Sequence, residues 1–420
     1  MREYDVAVIG GGPAGLAAAV AARKAGAAEV LILEREGELG GILNQCVHCG
    51  FGLHAFGAEL TGPEYAARYI KEAEALGVRQ ALGAMVLGLG GGGREIAFSS
   101  RALGLQTVRA RAVVLAMGCR ERPRGALNIP GFRPAGVFTA GTAQRLVNVE
   151  GYLPGREAVV LGSGDIGLIM ARRMTLEGAR VKAVAEILPY SGGLKRNIVQ
   201  CLEDFGIPLK LGHTVTAIHG RERVTGVTLA RVDGARRPIP GTEERIPCDT
   251  LLLSVGLLPE NELSAQAGVP LDPVTGGPVV DESFSTALPG VFACGNALHV
   301  HDLVDYVSEE AAWAGACAAG YALRGARGGT QWPPIRLAAG RGVRYTVPQA
   351  VHWDAMPARL TVRFRVAAPG RDQALCVYFD GALAARVKKR ALAPGEMERF
   401  TLEREALAGV RAVTFCVEEG

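Results

Sequence analysis

Short runs of apolar, β-branched residues recur along the chain, each ending at glycine or a polar turn. Residues 4–9 (YDVAVI) are apolar at almost every position, the pattern of a parallel strand covered on both faces. Gly10-Gly11-Gly12-Pro13-Ala14-Gly15 follows, and an alanine-rich stretch to about Ala25 predicts a helix. Residues 29–33 (EVLIL) predict a second buried strand that ends at Glu34, which completes a βαβ unit. Thr61-Gly62-Pro63-Glu64 has the form of a capping box with proline in the first turn and predicts a helix to about Leu76. Residues 84–110 alternate around Gly90–Gly93 and predict a small antiparallel meander; residues 112–117 (AVVLAM) return to a fully buried strand.

The pattern then restarts. Residues 157–161 (EAVVL) predict a strand, Gly162-Ser163-Gly164-Asp165-Ile166-Gly167 opens a helix, and residues 180–185 predict a strand ending at Glu186. A second meander near 213–232 and a buried strand near 250–255 follow in the same order. In both copies the acidic residue stands 24 positions after the first glycine, so the chain carries two copies of one domain type. Trp332-Pro333-Pro334 predicts a linker. Beyond it, residues 359–367, 374–379, 383–388, 397–402 and 411–417 predict a small all-β domain of five strands.

Composition narrows the function. Glycine is the one outlier: 57 of 420 residues, about 14% against a usual share of roughly 7%. It is not periodic in threes, which excludes collagen, and it lies among strong hydrophobic runs, which argues against disorder. The excess therefore marks sharp turns and close backbone approaches. A net charge of +4 with dispersed basic residues excludes a nucleic-acid footprint; the densest basic run, Arg386 to Arg390, is short. No run approaches the roughly 18 apolar residues of a membrane span. Nine irregularly spaced cysteines do not form a secreted disulfide framework, and Met1-Arg-Glu-Tyr-Asp5 runs directly into the first strand. Both point to a cytoplasmic protein.

The two glycine loops carry the chemistry. The first glycine of such a loop turns the chain out of a strand, the second lets backbone approach a pyrophosphate, and the third lets helix and strand pack closely. The phosphate then faces the unpaired N–H groups of a helix N-terminus. A carboxylate at the end of the next strand accepts from ribose hydroxyls. Gly10, Gly12, Gly15 and Glu34 meet these conditions, and Gly162, Gly164, Gly167 and Glu186 meet them again. Glu186 favours NAD(H), because a carboxylate repels a 2′-phosphate.

With Val113–Gly118, its repeat Leu252–Gly256 and the stretch Thr286–Asn296 (TALPGVFACGN), these loops resemble the two-dinucleotide-binding-domain flavoproteins, the pyridine nucleotide–disulfide oxidoreductase superfamily. The resemblance covers residues 1–330 and implies an α/β fold: two Rossmann-like three-layer domains, the second inserted in the first, plus the C-terminal β domain. It implies an FAD domain over 1–150 and 265–330, an NAD(H) domain over 151–264 and the β domain over 335–420. It places FAD against Gly10, Gly12, Pro13, Ala14, Gly15, Glu34, Arg35, Gly41, Ala116, Gly118, Gly295, Asn296 and Leu303. It places the nicotinamide dinucleotide against Gly162, Gly164, Asp165, Ile166, Gly167, Glu186 and Gly256. The family carries Asp where this chain has Asn296. The resemblance also implies a helix from Asp302, its cap, to about Tyr321, aimed at the flavin. His299 and His301 flank its start, either as acid–base groups, His301 foremost, or as loop histidines with local hydrogen bonds.

Cys46-Val-His-Cys49 lies in the FAD domain, where disulfide reductases of this superfamily carry a redox pair, and His48 is placed to depress a thiol pKa. The spacing departs from the family's longer one, and thioredoxin reductases hold their pair in the NAD domain. A redox dithiol, ordinary small cysteines and a metal or iron–sulfur site all remain open for the pair; no second cysteine pair stands nearby, and no metal site is assigned. Gln45–Tyr65 also resembles flavoproteins associated with bacterial glycerol-3-phosphate dehydrogenase systems. The expected activity is FAD-dependent, NAD(H)-linked hydride transfer to or from a second substrate or redox partner. The alternatives are a flavoprotein subunit of a glycerol-3-phosphate or amine dehydrogenase complex, and a non-catalytic FAD-binding redox sensor. The C-terminal β domain is suited to homo-oligomerisation or docking.

Overall fold

A computed structural model describes residues 2–324 and 334–420. Trp332 and Pro333 of the predicted linker lie outside the described residues. The chain forms two compact units: residues up to Cys119 together with Pro259–Gly420, and Arg120–Leu258.

The first unit is built on a seven-stranded sheet. Arg79–Ala81, Val30–Leu33, Arg2–Ile9 and Gly104–Leu115 run parallel in that order, and Val291–Ala293 pairs in parallel with the end of Gly104–Leu115. The antiparallel strands Glu95–Ser100 and Ala84–Gly90 extend the sheet from the start of Gly104–Leu115. The sequence pattern suggests a meander to residue 110 and a separate strand from 112. One continuous strand does both jobs, because no turn-forming residue interrupts Thr107–Ala112. The all-apolar runs are central strands: Val6, Ala7, Val8, Val113, Val114 and Leu115 have no exposed surface. Each Val or Leu so covered contributes roughly 1.5–3 kcal/mol relative to exposure.

The alanines of helix Pro13–Lys24 let helix Val304–Arg324 lie close on it; a Cβ at Gly315 would sit 2.1 Å from the Ala18 carbonyl oxygen. The capping box forms as predicted: Glu64 N–H donates to the Thr61 hydroxyl and Thr61 N–H donates to Glu64 at 2.8 Å, starting helix Gly62–Ala75.

The C-terminal residues of this unit fold as two sheets around Leu337, Phe364, Leu375 and Phe415. There are eight described strands rather than five. Ile335–Ala339, Val343–Val347 and Ala350–Val351 are the additional ones; they are short and separated by tight turns, so no alternation builds up in the sequence.

The second unit repeats the first's design. Its parallel sheet runs Val137–Thr139, Thr250–Leu253, Glu157–Leu161, Arg180–Glu186, Leu209–Leu211, with a meander of His213–His219, Gly226–Arg231 and Glu244–Ile246. Strand Val137–Thr139 and helix Ala140–Asn148 lie in this unit, which starts upstream of residue 151.

Candidate functional site

The first glycine loop is closed by its own carboxylate. Glu34 is buried; Oε2 accepts the Gly11 N–H at 2.6 Å and Oε1 accepts the Glu36 N–H at 2.8 Å. A carboxylate offers about four acceptor positions, so these bonds fix the side chain and leave lone pairs for a ligand. Gly10 turns with φ +105°, and a Cβ there would lie 2.4 Å from the Ala116 carbonyl oxygen. A Cβ at Gly15 would lie 1.8 Å from the Gly10 carbonyl oxygen. Gly12 differs: the nearest atom to its virtual Cβ is Cα of Gly41, 4.0 Å away. Gly12 caps helix Pro13–Lys24 without any side-chain cap and no acidic residue occupies the first turn. The helix N–H groups therefore face a space walled by glycine backbone, the requirement for a pyrophosphate. Gly295 completes the wall, its virtual Cβ 2.6 Å from Ala14 Cβ. Gly10, Gly12, Ala14, Gly15, Glu34, Gly41, Ala116 and Gly295 are thus brought together. Arg35 is exposed just beyond Glu34.

The second loop repeats both backbone bonds and adds one from a hydroxyl. Glu186 is buried; Oε2 accepts from Ser163 N–H at 2.9 Å and from its hydroxyl at 2.8 Å, and Oε1 accepts Leu188 N–H at 2.9 Å. Gly162 turns at φ +98° against the Ser254 carbonyl, and Gly164 has only Ser254 Oγ near its virtual Cβ, at 3.6 Å. Asp165 is turned aside: Oδ1 accepts from Leu194 N–H at 2.8 Å and Asn197 Nδ2 at 2.7 Å, bracing the segment that follows Glu186. The second position of each loop (Gly11, Ser163) is a functional residue that the glycine pattern alone does not single out. Its signal in the sequence is the fixed spacing to the carboxylate.

Behind Gly295 lies a buried network that the sequence does not reveal. Glu310, on helix Val304–Arg324, accepts the Gly295 N–H on Oε1 at 3.0 Å, and His299 Nε2 stands 2.8 Å from Oε2. A carboxylate only accepts, so His299 Nε2 carries the hydrogen and Nδ1 is left as a buried acceptor without a partner among the described residues. Burial drives His299 down from 6.5 to about 4, against the pull of Glu310. The histidines, together with these hydrogen bonds, hold Glu310 well below the usual carboxylate range despite its burial. His299 is neutral and Glu310 is charged. His301 Nε2 is 3.3 Å from the same oxygen, and Arg363 from the C-terminal β sheet lies 3.9 Å away.

Two groups of side chains converge to within 4.8 Å: His299, His301 and Glu310, and Asp281, Glu282 and His352. In the first, the His299 hydrogen bond to Glu310 and the Arg363 charge 3.9 Å from the same oxygen form one buried network. Asn296 joins it: Oδ1 accepts from His301 N–H at 3.0 Å, and Nδ2 points to Cys119 Sγ at 3.5 Å. With both amide functions in use, the Asn found in place of Asp has a local reason. Asp302 does not cap the helix. It accepts the Met397 N–H at 2.9 Å, and the helix begins at Val304, beside Leu303.

Cys46 donates to the Ile42 carbonyl at 3.2 Å, and burial pushes its thiol up to about 12. Cys49 is exposed on strand Cys49–Phe51. His48 packs edge-on against Phe51.

Residues 4–316 match the family model described as pyridine nucleotide-disulphide oxidoreductase. The chain belongs to this family. FAD and a pyridine nucleotide are the family's cofactors, and the two glycine loops fit them. The chain is similar to an opine oxidase component from Agrobacterium tumefaciens, one of that enzyme's subunits (28% identity, 70% of this chain, 61% of the relative). It is also similar to thioredoxin reductase of Listeria monocytogenes (27% identity, 70% of this chain, 86% of the relative). Among solved structures, thioredoxin reductase of T. acidophilum shares the fold, with TM-score 0.62 at 24% identity over 77% of this chain and 100% of that one. The chain spans about three fifths of the opine oxidase components it matches. The C-terminal β sheets lie beyond the family match, and no helix among the described residues is long and apolar enough to cross a membrane.

Proposed function

We propose that the protein is an FAD-dependent, NAD(H)-linked oxidoreductase. The observation that carries this reading is the pair of glycine loops, each with an open second glycine and each closed by a buried carboxylate, Glu34 or Glu186. Bound FAD supplies the hydride chemistry. The chain supplies position and charge. Gly12 and helix Pro13–Lys24 hold the FAD pyrophosphate, and Glu34 orients its ribose. Gly295 and Asn296, locked by Glu310 and His301, present the loop against the remainder of FAD. Gly164 and Glu186 do the same for NAD(H), with Glu186 rejecting a 2′-phosphate. His301 acts here as the group that fixes Asn296, since its side chain is enclosed between Asn296 and Glu310. Cys46 is held as a neutral thiol, which argues against disulfide exchange through it.

Anaerobic titration with NADH tests the reading. Stoichiometric bleaching of the flavin band is expected, with NADPH at least tenfold less effective. An unbleached flavin at millimolar NADH overturns it.

A second reading has its own support. The relative from Agrobacterium is named as one component of a larger oxidase, and this chain spans only part of it. A dehydrogenase complex, with the β sheets docking a partner chain, accommodates the same site. Co-purification of a stoichiometric partner decides for it.

A further inference from the structure

Tyr306, in the first turn of helix Val304–Arg324, is the centre of an unusual concentration of positive charge. Strands Arg359–Val366 and Glu398–Glu403 pair so that Arg363 and Arg399 stand directly opposite each other on one face. Like charges at such a position repel. Both guanidinium carbons approach the Tyr306 ring, at 6.0 Å for Arg363 and 5.2 Å for Arg399. Arg363 is compensated by Glu309 at 3.1 Å and Glu310 at 3.9 Å. Arg399 is exposed, and no carboxylate among the described residues lies within salt-bridge distance of it.

On the same tyrosine, the ring of His54 stacks at 5.5 Å and 19°. His54 is exposed, but its loop is pinned: the buried carboxylate of Asp305 accepts Gly52 N–H at 3.1 Å and Ala55 N–H at 2.8 Å. The His54 ring and the Tyr306 hydroxyl have no hydrogen-bond partner among the described residues. The His54 imidazole and the Arg399 guanidinium thus both lie against the Tyr306 ring, with no anion of the described chain to satisfy Arg399. Arg363 has two carboxylates of the chain beside it, Arg399 has none among the described residues, and an external anion at Arg399 supplies the missing partner. Leu303, just before this turn, is one of the residues assigned to FAD, so the cluster stands at the edge of the candidate flavin site.

We propose that Arg399, His54 and Tyr306 recognise the anionic group, a carboxylate or a phosphate monoester, of the enzyme's second substrate. This rests on the oxidoreductase reading above. Arg399 supplies a forked pair of donors that matches either group, and His54 and Tyr306 supply one hydrogen bond each.

The experiment is a titration of the FAD-loaded protein followed through its histidine ring protons. The chain has only seven histidines, and His54→Gln assigns the resonance. Inorganic phosphate and L-lactate are added separately at constant ionic strength in chloride. A saturable shift of the His54 resonance is expected, with affinity at least tenfold weaker in Arg399→Gln. Response to phosphate alone marks a phosphate monoester, response to lactate alone marks a carboxylate, and response to both marks a site for either. Unmoved resonances from the other histidines show that Arg399→Gln is folded. No saturable shift with either probe, or equal affinity in Arg399→Gln, overturns the proposal. NADH bleaching of the unmodified protein separates the two ideas. Bleaching without anion binding sinks only the anion site, and anion binding without bleaching sinks only the hydride-transfer reading.

Discussion

The His299–Glu310 pair makes stability depend on pH in a way that one substitution isolates. His299 is fully enclosed and held near 4, whereas an unfolded histidine takes up its proton near 6.5. Between those values the unfolded chain binds more protons than the folded one, so folding is weakened as pH falls from about 6.5. Between pH 7.5 and pH 5 this site alone costs roughly 2 kcal/mol, from about 1.4 kcal/mol per unit of separation. Glu310 does not add to the slope there, because its carboxylate stays ionised until well below the usual range. Asp281 has the opposite sign: half-buried and beside Glu282, it is raised from 3.8 to about 6, so its contribution to stability is lost as pH rises through that interval. The absolute curve is thus a composite, and the difference between variants is the quantity to measure. His299→Gln keeps an N–H donor for Glu310 and removes the titration. Urea unfolding of the FAD-loaded protein at pH 7.5 and 5.0 is expected to show the variant losing about 2 kcal/mol less than the parent over that interval. Equal losses in the two proteins would refute a neutral, desolvated His299.

Three further outcomes follow from the same geometry. Gly12→Ala adds a methyl group into open space at φ −75°, so it leaves folding almost unchanged and weakens FAD retention on dialysis, whereas Gly15→Ala drives Cβ into the Gly10 carbonyl and costs at least the roughly 1–3 kcal/mol of an overpacked core, read as a lower unfolding midpoint. Iodoacetamide at pH 8 labels Cys49 and spares Cys46 in the native protein, as read by peptide mass; rapid Cys46 labelling contradicts its protonated, half-buried state. Asp305→Asn sets an amide against the Gly52 and Ala55 N–H groups, costs about 1–3 kcal/mol and raises proteolytic cutting near residues 52–55; an unchanged cutting rate argues that the loop is fixed by something else.

The parallel strands, both glycine loops and their carboxylates are legible in the sequence because each is local. Val6–Ile9, Gly10–Gly15 and Glu34 lie within one supersecondary unit, and the physics that selects them acts over a few residues. Glu310 is not legible. Its partners, Gly295, His299 and Arg363, lie 11 to 53 residues away, and its place in the helix has no distinguishing pattern. The Arg363–Arg399 pair depends on strand register across 36 residues, which sequence alternation does not specify. Asp302 reads as a helix cap because Asp before a helix usually is one. A distant backbone N–H, that of Met397, claims it instead. The Cys-x-x-Cys spacing suggests reactivity, but reactivity follows desolvation and neighbours, and for Cys46 the burial dominates.

The first unit's sheet is assembled from two stretches of chain separated by the whole of Arg120–Leu258. During synthesis, Val113–Leu115 emerges long before Val291–Ala293, the strand that pairs with it. At about 5–20 residues per second the wait is on the order of ten to forty seconds. Through that interval the nascent sheet presents an open apolar edge, and helix Pro13–Lys24 lacks the helix that covers it. The contiguous second unit has no such delay and is complete on the ribosome first. The surface that Val291–Ala293 and helix Val304–Arg324 cover in the folded chain is thus the last to be closed.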